Sequence, residues 1–300
     1  MQTRRITDDL ARASAAGKAL KQSCNIAELP FFGFFPAMRA LIISDIHANI
    51  EALEAVLETA PTHDTVWNLG DTVGYGASPN ESIEMVRNLG AVFVRGNHDR
   101  ACCGLMSLED FNPIASRAAQ WTQLTLSEEH TAWLQALAHG PFDPNEKTVN
   151  GSNGHRSNGS AVSVMHGSPL DEDEYILSMR DAWDPLHATS ARINFFGHTH
   201  LQGGFATDGE TMFKLNPHYT TRNGAEECEI QLRESARYLI NPGSVGQPRD
   251  HDWRAGCGLF DDERMTMSFL RIPYDVRAAQ VRIISAGLPE RLAYRLREGR

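Results

Sequence analysis

Short apolar runs, each followed by a polar loop and then by helical spacing of apolar residues, dominate the chain just after residue 38. Residues 39–44, 65–69 and 91–95 are apolar runs of strand length. Between them, apolar residues recur at the spacing that places them on one face of a helix. Three strand–loop–helix units within about sixty residues predict an α/β fold with right-handed crossovers and parallel or mixed strand pairing.

Polar residues mark where the first two helices begin. Asn49 stands directly before the apolar positions of the first helix and predicts an N-cap. Ser78 and Glu81 frame Pro79, so they predict a capping box with proline at the first helical position. Each predicted helix therefore begins just after a polar loop.

The rest of the chain continues this pattern with longer interruptions. The further predicted elements are a helical stretch at 112–138 broken near 125–127, strands at 161–165, 192–196, 256–260 and 265–270, and a helix at 276–297 broken at 287–289. Residues 141–160 predict a flexible connection, and the polar residues 203–234 predict an inserted hairpin or loop. No repeat of fixed period is present.

The first 37 residues differ from the rest of the chain. They are largely polar, with helical spacing only between residues 8 and 21, and Met38 stands directly before the first predicted strand. We therefore predict two parts, an N-terminal extension at 1–37 and a main domain at 38–300. A chain that begins at Met38 is expected to fold and to keep its activity, and loss of either would contradict this prediction.

Composition narrows the class of protein and its partners. The formal charge of -10 and a pI near 5.6 disfavour broad binding of nucleic acid or of an anionic membrane, because both need a basic face. No run of 18 apolar residues is present, so no membrane span is predicted. Five cysteines at irregular positions predict neither a disulfide framework nor a zinc site, and they indicate a reducing cytoplasm.

Candidate metal ligands follow the ends of the predicted strands. They are Asp45 and His47, Asp71, Asn97, His166, and His198 with His200, whereas His98 beside Asn97 has to point elsewhere. Residues two apart in an extended segment point the same way, so Asp45 and His47 can reach one cation. Asp71 follows a glycine that permits a sharp turn, and one carboxylate there can bridge two cations with its two oxygens.

Each of these motifs is weak by itself. An Asp-x-His sequence is more often an ordinary turn, and a lone histidine at a strand end is more often a hydrogen-bonded structural residue. The whole set in this order favours a metal site over these structural roles, because every member stands at the carboxyl end of a predicted strand, where open α/β sheets place their sites.

The five motifs in this order resemble the calcineurin-like metallophosphoesterase superfamily. The resemblance covers about residues 38–300, and residues 70–76, 166–169 and 241–249 are similar to its small bacterial and archaeal phosphodiesterases. It implies a four-layer αββα sandwich of two mixed β-sheets flanked by helices, with the metal site at the carboxyl ends of strands. Gly74 departs from the family, many members of which carry a second acidic residue there.

The resemblance also implies a ligand set for two divalent metal ions. One ion would be bound by Asp45, His47, Asp71 and His200, and the other by Asp71, Asn97, His166 and His198. Nitrogen and oxygen donors without thiolate favour manganese, iron, cobalt, nickel or zinc over calcium or magnesium, and affinity does not choose among the five. We expect manganese, with iron, zinc, nickel or cobalt as alternatives. Two such cations leave a residual charge of about +2 that attracts a small phosphorylated substrate to an acidic chain.

The expected reaction is hydrolysis of a phosphodiester or phosphomonoester by in-line attack of a metal-bridging hydroxide, without a covalent intermediate. His98 is expected to protonate the leaving oxygen or to stabilise the transition state, and Asp99 to orient the His98 ring. Tyr75, Arg100 and Arg249 are candidates for lining the substrate opening.

Two alternatives remain open at this point. Within the same chemistry, the chain can be a Ser/Thr protein phosphatase or a dinucleoside polyphosphate hydrolase. In a different class, it can be a non-catalytic scaffold like the retromer subunit of this fold, in which the histidine of the Gly-Asn-His motif is replaced. His98 is present here, which disfavours the scaffold. The sequence does not indicate an oligomeric state.

Overall fold

The first strand, β1 (Arg39–Ile43), is apolar on both of its faces because a layer of structure covers each one. In the computed structural model, which describes residues 38–109, 111–145 and 161–300, Ala40 and Ile42 belong to the core between two sheets. Leu41 and Ile43 belong to the core beneath the helices. Successive side chains of a strand point to opposite faces, so such a strand has to be apolar throughout.

The first sheet has six strands in the order β3-β2-β1-β10-β11-β8. Its other members are β2 (Thr65–Asn68), β3 (Val92–Phe93), β8 (Glu226–Gln231), β10 (Ala255–Asp261) and β11 (Thr266–Ile272). β1 pairs in parallel with β2 and antiparallel with β10. The sheet is therefore mixed, as predicted.

The second sheet has five strands in the order β4-β5-β9-β6-β7. They are β4 (Val162–Val164), β5 (Ile193–Phe195), β6 (Gly203–Thr207), β7 (Met212–Leu215) and β9 (Arg237–Asn241). β4, β5 and β9 are parallel, whereas β6 is antiparallel to both of its neighbours. The parallel strands of the two sheets deliver their carboxyl ends to one region.

Aromatic side chains fill the space between the two sheets. The ring centroid of Phe195 lies 5.7 Å from that of Trp67 and 5.4 Å from that of Phe260, and all three side chains are buried. Burial of one such side chain stabilises the fold by about 1.5–3 kcal/mol. The contact fixes one sheet against the other and thereby fixes the loops at their common end.

Helices cover both outer faces. The core under the first sheet is shared with α1 (Ile50–Thr59), α7 (Val276–Ser285) and α8 (Glu290–Glu298), and the second sheet packs against α6 (Met179–Ala188). The remaining helices are α2 (Pro79–Arg87), α3 (Asn97–Cys102), α4 (Pro113–Thr125) and α5 (Glu128–Gln135). The predicted four-layer arrangement of two mixed sheets flanked by helices is confirmed.

Asn49 caps α1 as predicted, because its side chain accepts a hydrogen bond from the Ala52 amide. The predicted capping box at the start of α2 is wrong. Ser78 is fully buried, its amide donates to the Ala48 carbonyl, and its hydroxyl makes no cap bond. Ser78 therefore bonds through its amide to the loop after β1, which carries Asp45 and His47, and its side chain does not cap the first turn of α2.

The prediction of an inserted hairpin or loop at 203–234 is right in part, because β6 and β7 form an antiparallel hairpin, but β6, β7 and β8 are members of the two sheets and not an insertion. β6 contains Gly203 and Gly204, and a Cβ at Gly204 would lie 2.1 Å from the Leu239 carbonyl oxygen. The neighbouring strand thus approaches Gly204 too closely for a side chain. β6 therefore begins with two glycines and lacks the run of apolar side chains from which a strand is usually predicted. β8 is a polar edge strand, as edge strands often are.

The N-terminal extension, including the helix predicted at 8–21, lies outside the described residues, so its dispensability stays a prediction. The described residues form one compact unit. Among the helices that the structure describes, none has the length and apolar character required to cross a membrane.

Candidate metal centre

The candidate ligands meet where the parallel strands end. Asp45 follows β1, Asp71 follows β2, and Asn97 begins α3 just after β3. His166 follows β4, and His198 and His200 follow β5. All of them are buried except Asn97, which is half-buried.

A first group consists of Asp45, His47, Asp71 and His200, whose ligand atoms lie within 4.8 Å of one another. The Nε2 atoms of His47 and His200 are only 3.1 Å apart. Each ring has its Nδ1 close to a main-chain carbonyl, 3.2 Å from Val73 O and 2.6 Å from Gln247 O. If each Nδ1 donates its proton there, both Nε2 atoms present lone pairs to each other, an arrangement that a cation between them stabilises.

A second group consists of Asp71, His166 and His198. The Nδ1 of His166 lies 2.8 Å from the Leu69 carbonyl, and its Nε2 lies 3.2 Å from Oδ1 of Asn97. The Nε2 of His198 lies 3.0 Å from the Asp173 carbonyl, so its Nδ1 is free to bind a cation. One ring nitrogen of every histidine in the two groups is thus held by a main-chain carbonyl, which orients the other nitrogen as a ligand.

The two groups share the carboxylate of Asp71. Its Oδ1 accepts a hydrogen bond of 2.8 Å from the His98 amide. Its Oδ2 lies 3.7 Å from Nε2 of His47 and 3.4 Å from Nε2 of His166. Asp71 therefore lies in the position of a bridge between two cations.

Asp45 has a buried carboxylate oxygen that lacks a hydrogen-bond partner among the described residues. Its Oδ2 accepts from the His198 amide at 3.1 Å, whereas Oδ1 is unpaired and lies 3.2 Å from Nε2 of His200. Burial raises the pKa of Asp45 to about 7. A buried oxygen without a donor is costly in a protein interior, and a cation removes this cost. The donor set and its orphaned atoms fit two divalent metal ions.

Asp71 and His166 form a charged pair in the absence of a cation. Burial opposes the charged form of each group, but their attraction prevails. It holds the pKa of Asp71 well below its usual range and, together with Asp45, raises the pKa of His166 to about 10. A cation that uses His166 as a ligand has to displace a proton from this pair.

Backbone strain is concentrated at the same place. Asp45, His47, Asp71, His198 and His200 have φ values of 52°, 50°, 54°, 64° and 59°. Residues other than glycine rarely adopt this left-handed conformation, and strained residues persist where the surrounding structure enforces them. The fold therefore holds five of the candidate ligands in place at a cost in stability.

His98 lies beside both groups, and its surroundings differ from the prediction. Its ring centroid is 4.9 Å from that of His47 and 4.3 Å from that of Tyr75, and its Nδ1 is buried without a partner in the described structure. A Cβ at Gly74 would lie 2.7 Å from this Nδ1, so the ring fills the space that an acidic residue at 74 would need. Burial lowers the pKa of His98 to about 4, which makes the ring neutral at neutral pH.

The prediction that Asp99 orients the ring of His98 has to be corrected. The Asp99 carboxylate accepts from the amides of Asp71, Val73 and Gly96 at 2.9, 3.2 and 3.0 Å. It is bound to the backbone of two ligand loops, so no oxygen is directed at the neighbouring imidazole. Asp99 is therefore a positioning residue for Asp71.

The three candidates for the substrate opening lie in different surroundings. Tyr75 is buried against His47, with ring centroids 4.7 Å apart, and Arg249 places its Cζ 6.0 Å from the Tyr75 ring. Arg100 instead pairs with Glu172 at 3.0 Å and with Asp173. Its charge is neutralised by these two carboxylates, so the prediction for Arg100 is corrected to a structural role.

Several residues of the site were missed. Asp173 holds His198 through its carbonyl, and the ring of Tyr175 lies over His198 with centroids 3.9 Å apart. The side chain of Asn241 donates to Gly197 O at 2.7 Å and thereby supports the loop that carries both last histidines. Only Asn241 had a signal in the sequence, as part of the segment 241–249.

Comparison with known proteins agrees with this geometry. A model of the calcineurin-like phosphoesterase superfamily domain matches residues 38–263. The chain belongs to the calcineurin-like phosphoesterase superfamily, and it is a metal-dependent phosphoesterase, a hydrolase.

Relatives and solved structures extend the similarity to most of the chain. The uncharacterized protein MJ0912 of Methanocaldococcus jannaschii is 34% identical over 261 residues, which cover 86% of this chain and 97% of that protein. A crystal structure of a metallophosphoesterase from Sphaerobacter thermophilus is 38% identical, with a TM-score of 0.69, and the match covers 88% of this chain and 100% of that one.

A more distant similarity links the chain to the symmetrical bis(5'-nucleosyl)-tetraphosphatase of Cronobacter sakazakii. The two sequences are 26% identical over 178 residues, which cover 54% of this chain and 63% of that protein. The chain thus spans less than two thirds of the length of this relative.

Proposed function

We propose that the chain is a two-metal phosphodiesterase for small substrates. The observation that carries this proposal is the shared carboxylate of Asp71, whose Oδ2 lies between Nε2 of His47 in one group and Nε2 of His166 in the other. A pair of divalent cations joined by one carboxylate is suited to clamp the attacking and leaving oxygens of a phosphate ester.

We assign one cation to Asp45, His47, Asp71 and His200, and the other to Asp71, Asn97, His166 and His198. When bound, the pair supplies Lewis acid activation of the phosphate and of water at neutral pH. The donors are imidazole, carboxylate and amide, which suit manganese, iron, zinc, nickel or cobalt, and we take manganese as the first metal to test.

The side chains around the ligands have separate tasks in this proposal. His98 is neutral and still carries one N–H, which it donates as a hydrogen bond to a phosphate oxygen and thereby stabilises the charge that the leaving oxygen gains. Arg249 adds a positive charge beside the site. Asp99 and Arg100 hold the ligand loops in place.

A dinucleoside polyphosphate hydrolase is the second candidate. The similarity to the symmetrical bis(5'-nucleosyl)-tetraphosphatase favours it, because hydrolysis of a dinucleoside polyphosphate and hydrolysis of a phosphodiester both cleave a bond to phosphorus in a small anionic molecule.

The four cysteines within the described residues are unpaired, which supports our placement of the enzyme in a reducing cytoplasm. We also propose that its catalytic domain begins at Met38.

The decisive experiment uses metal-free protein that is reloaded with one metal at a time. Each form is assayed against bis-nitrophenyl phosphate, nitrophenyl phosphate, diadenosine tetraphosphate and a phosphopeptide. Preference for bis-nitrophenyl phosphate supports the diesterase, and preference for diadenosine tetraphosphate supports the second candidate. Absence of hydrolysis with every metal would contradict both and favour a scaffold.

A further inference from the structure

One exposed aromatic side chain lies directly over a candidate metal ligand. The ring centroid of Tyr175 is 3.9 Å from that of His198, and the two ring planes are inclined by 31°. Tyr175 is nevertheless 47% exposed. Because His198 covers one face of the ring, the other face is left open to solvent beside the second ligand group.

The hydroxyl end of Tyr175 lies toward the metal centre. Desolvation raises the pKa of Tyr175, the charge of Arg249 lowers it, and the charge of Asp71 raises it. Charges act on a partly exposed group in this way only from a short distance, because water and salt screen them further away. The ring therefore extends from His198 along the edge of the centre.

Tyr75, the other tyrosine of the centre, has no comparable open face. It is 7% exposed, its ring centroid lies 4.3 Å from that of His98, and the Cζ atoms of Arg249 and Arg295 lie 6.0 and 5.9 Å from its ring centroid. Protein groups thus enclose the Tyr75 ring. Tyr175, by contrast, makes a single aromatic ring contact within the described part of the chain.

The loop that carries Tyr175 is anchored on both sides of this residue. Ile176 is 2% exposed and belongs to a core cluster with Leu186 and Phe196. The carboxylate of Glu174 accepts a hydrogen bond from the Ser168 hydroxyl. The ring of Tyr175 is therefore in place before a ligand binds, so that little freedom is lost on binding.

Exposure of a tyrosine is not by itself a sign of function, since single apolar side chains are common on protein surfaces. Trp183 is such a case, because it is 49% exposed and its ring contacts His187, which is not a candidate ligand. Tyr175 differs in its position, with one face on a candidate ligand and the opposite face open. An aromatic face in that place is a contact surface for a molecule bound at the centre.

The burial of the ligands determines which part of a substrate reaches this surface. In the first group the ligands are at most 1% exposed, and His198 of the second group is 3% exposed. A phosphate ester bound there has to direct its organic group outward, to the rim on which Tyr175 lies. A planar aromatic group covers the open face of the tyrosine ring better than a short aliphatic group does.

We propose that the open face of Tyr175 stacks against the organic group of the substrate, so that the enzyme prefers phosphate esters that carry an aromatic ring over small aliphatic ones. This rests on the proposed phosphoesterase function and narrows its substrate class. Tyr175 is then a specificity-determining residue, which contacts the organic group and not the reacting phosphorus.

The test compares phenylphosphonate with ethylphosphonate, which share the anionic group and have a C–P bond that hydrolysis does not cleave. Binding of each to manganese-loaded protein is measured by calorimetry at constant free manganese. Phenylphosphonate is expected to bind more tightly, and Tyr175→Ala is expected to lower the ratio of the two affinities by about 2- to 10-fold. Tyr175→Phe keeps the ring and is expected to keep the ratio.

Trp183→Ala is the matched control, because Trp183 is an aromatic residue of similar exposure that stacks on His187. Its affinity ratio is expected to equal that of the unchanged chain. A purely structural role of Tyr175 through His198 would weaken both phosphonates alike. An unchanged ratio in Tyr175→Ala, or equal affinities of the unchanged chain for the two phosphonates, would therefore overturn the stacking surface.

Hydrolysis of bis-nitrophenyl phosphate by the unchanged chain is measured in parallel, so that the two proposals can fail separately. Hydrolysis combined with an unchanged ratio in Tyr175→Ala refutes only the stacking surface. A lowered ratio without hydrolysis by any metal-loaded form refutes only the proposed catalysis.

Discussion

The two ligand groups that share Asp71 are held in different ways. In the first group, all four residues are at most 1% exposed, and the main chain at Val73 and Gln247 holds its two histidines. In the second group, Asn97 is half-buried, and His198 is held by the carbonyl of Asp173. Asp173 belongs to an acidic loop that ion pairs tether to the ligand loop after β3.

One candidate cation site is therefore part of the core, whereas the other depends on a tethered loop. Glu172 lies 3.0 Å from both Arg95 and Arg100, and Asp173 also pairs with Arg100. Ion pairs of this partly exposed kind are individually weak, so they position the loop more than they stabilise the fold. We expect the first cation to bind more tightly than the second.

The largest effect is expected from Asp71→Asn, because it removes the carboxylate that both groups share. Both cations should be lost, and hydrolysis of bis-nitrophenyl phosphate should fall by at least about a thousandfold. Metal content by mass spectrometry and the steady-state rate check this. Asp184→Asn, at an exposed aspartate, is the control. Retention of two metals per chain in Asp71→Asn would refute the bridge.

His166→Ala separates the two groups. It removes a ligand of the second group only, so one cation per chain should remain while turnover falls about a hundredfold or more, because the clamp on the phosphate is incomplete. A metal titration followed by calorimetry counts the sites. If His166→Ala loses the first cation as readily as the second, the two groups are not independent and the comparison fails.

His98→Ala tests the ring that lies beside both groups and that we have not assigned as a ligand. Both cations should stay bound, and turnover should fall by about 10²–10⁴-fold, because the hydrogen-bond donor to the leaving oxygen is gone. The effect should be smaller for a nitrophenolate leaving group than for a nucleoside alcohol, since the charge on nitrophenolate needs less stabilisation. Equal losses for both leaving groups would argue against His98 as the donor.

Arg100→Ala is the smallest and most selective change. Loss of its pairs with Glu172 and Asp173 loosens the loop that orients His198, so affinity for the second cation should fall by about 10- to 100-fold while the first is unaffected. Arg87→Ala is the matched control, because it breaks an exposed ion pair with Glu129 far from any ligand. Equal effects of the two variants on metal affinity would show that the loop does not support the second site.

The candidate ligands could be predicted from the sequence because the residues of each pair lie close together along the chain. Asp45 and His47, or His198 and His200, lie within three residues, and strand ends bring such pairs to one edge of a sheet. By contrast, the carbonyls of Val73, Gln247 and Asp173 carry no signal, because any residue supplies a carbonyl. The histidine tautomers that these carbonyls select therefore become visible only in the structure.

The predictions that had to be corrected concern contacts that the local sequence does not determine. Asp99 is adjacent to His98 in sequence, but helix geometry directs neighbouring side chains apart, so its carboxylate faces the backbone of Asp71 and Gly96. Arg295 lies far along the chain from Tyr75, and a helical pattern gives no information on which distant ring a side chain will meet. Contacts between elements that lie far apart in the sequence could not be predicted from the pattern of residues.

The central claim is that Asp71 bridges two cations. The most direct measurement is the anomalous scattering of crystals soaked in manganese, combined with the metal content of the same protein in solution. We predict two anomalous peaks on either side of Asp71, one among His47, His200 and Asp45 and one among His166, His198 and Asn97, with two metals per chain. A single peak, or peaks that do not contact Asp71, would contradict the account.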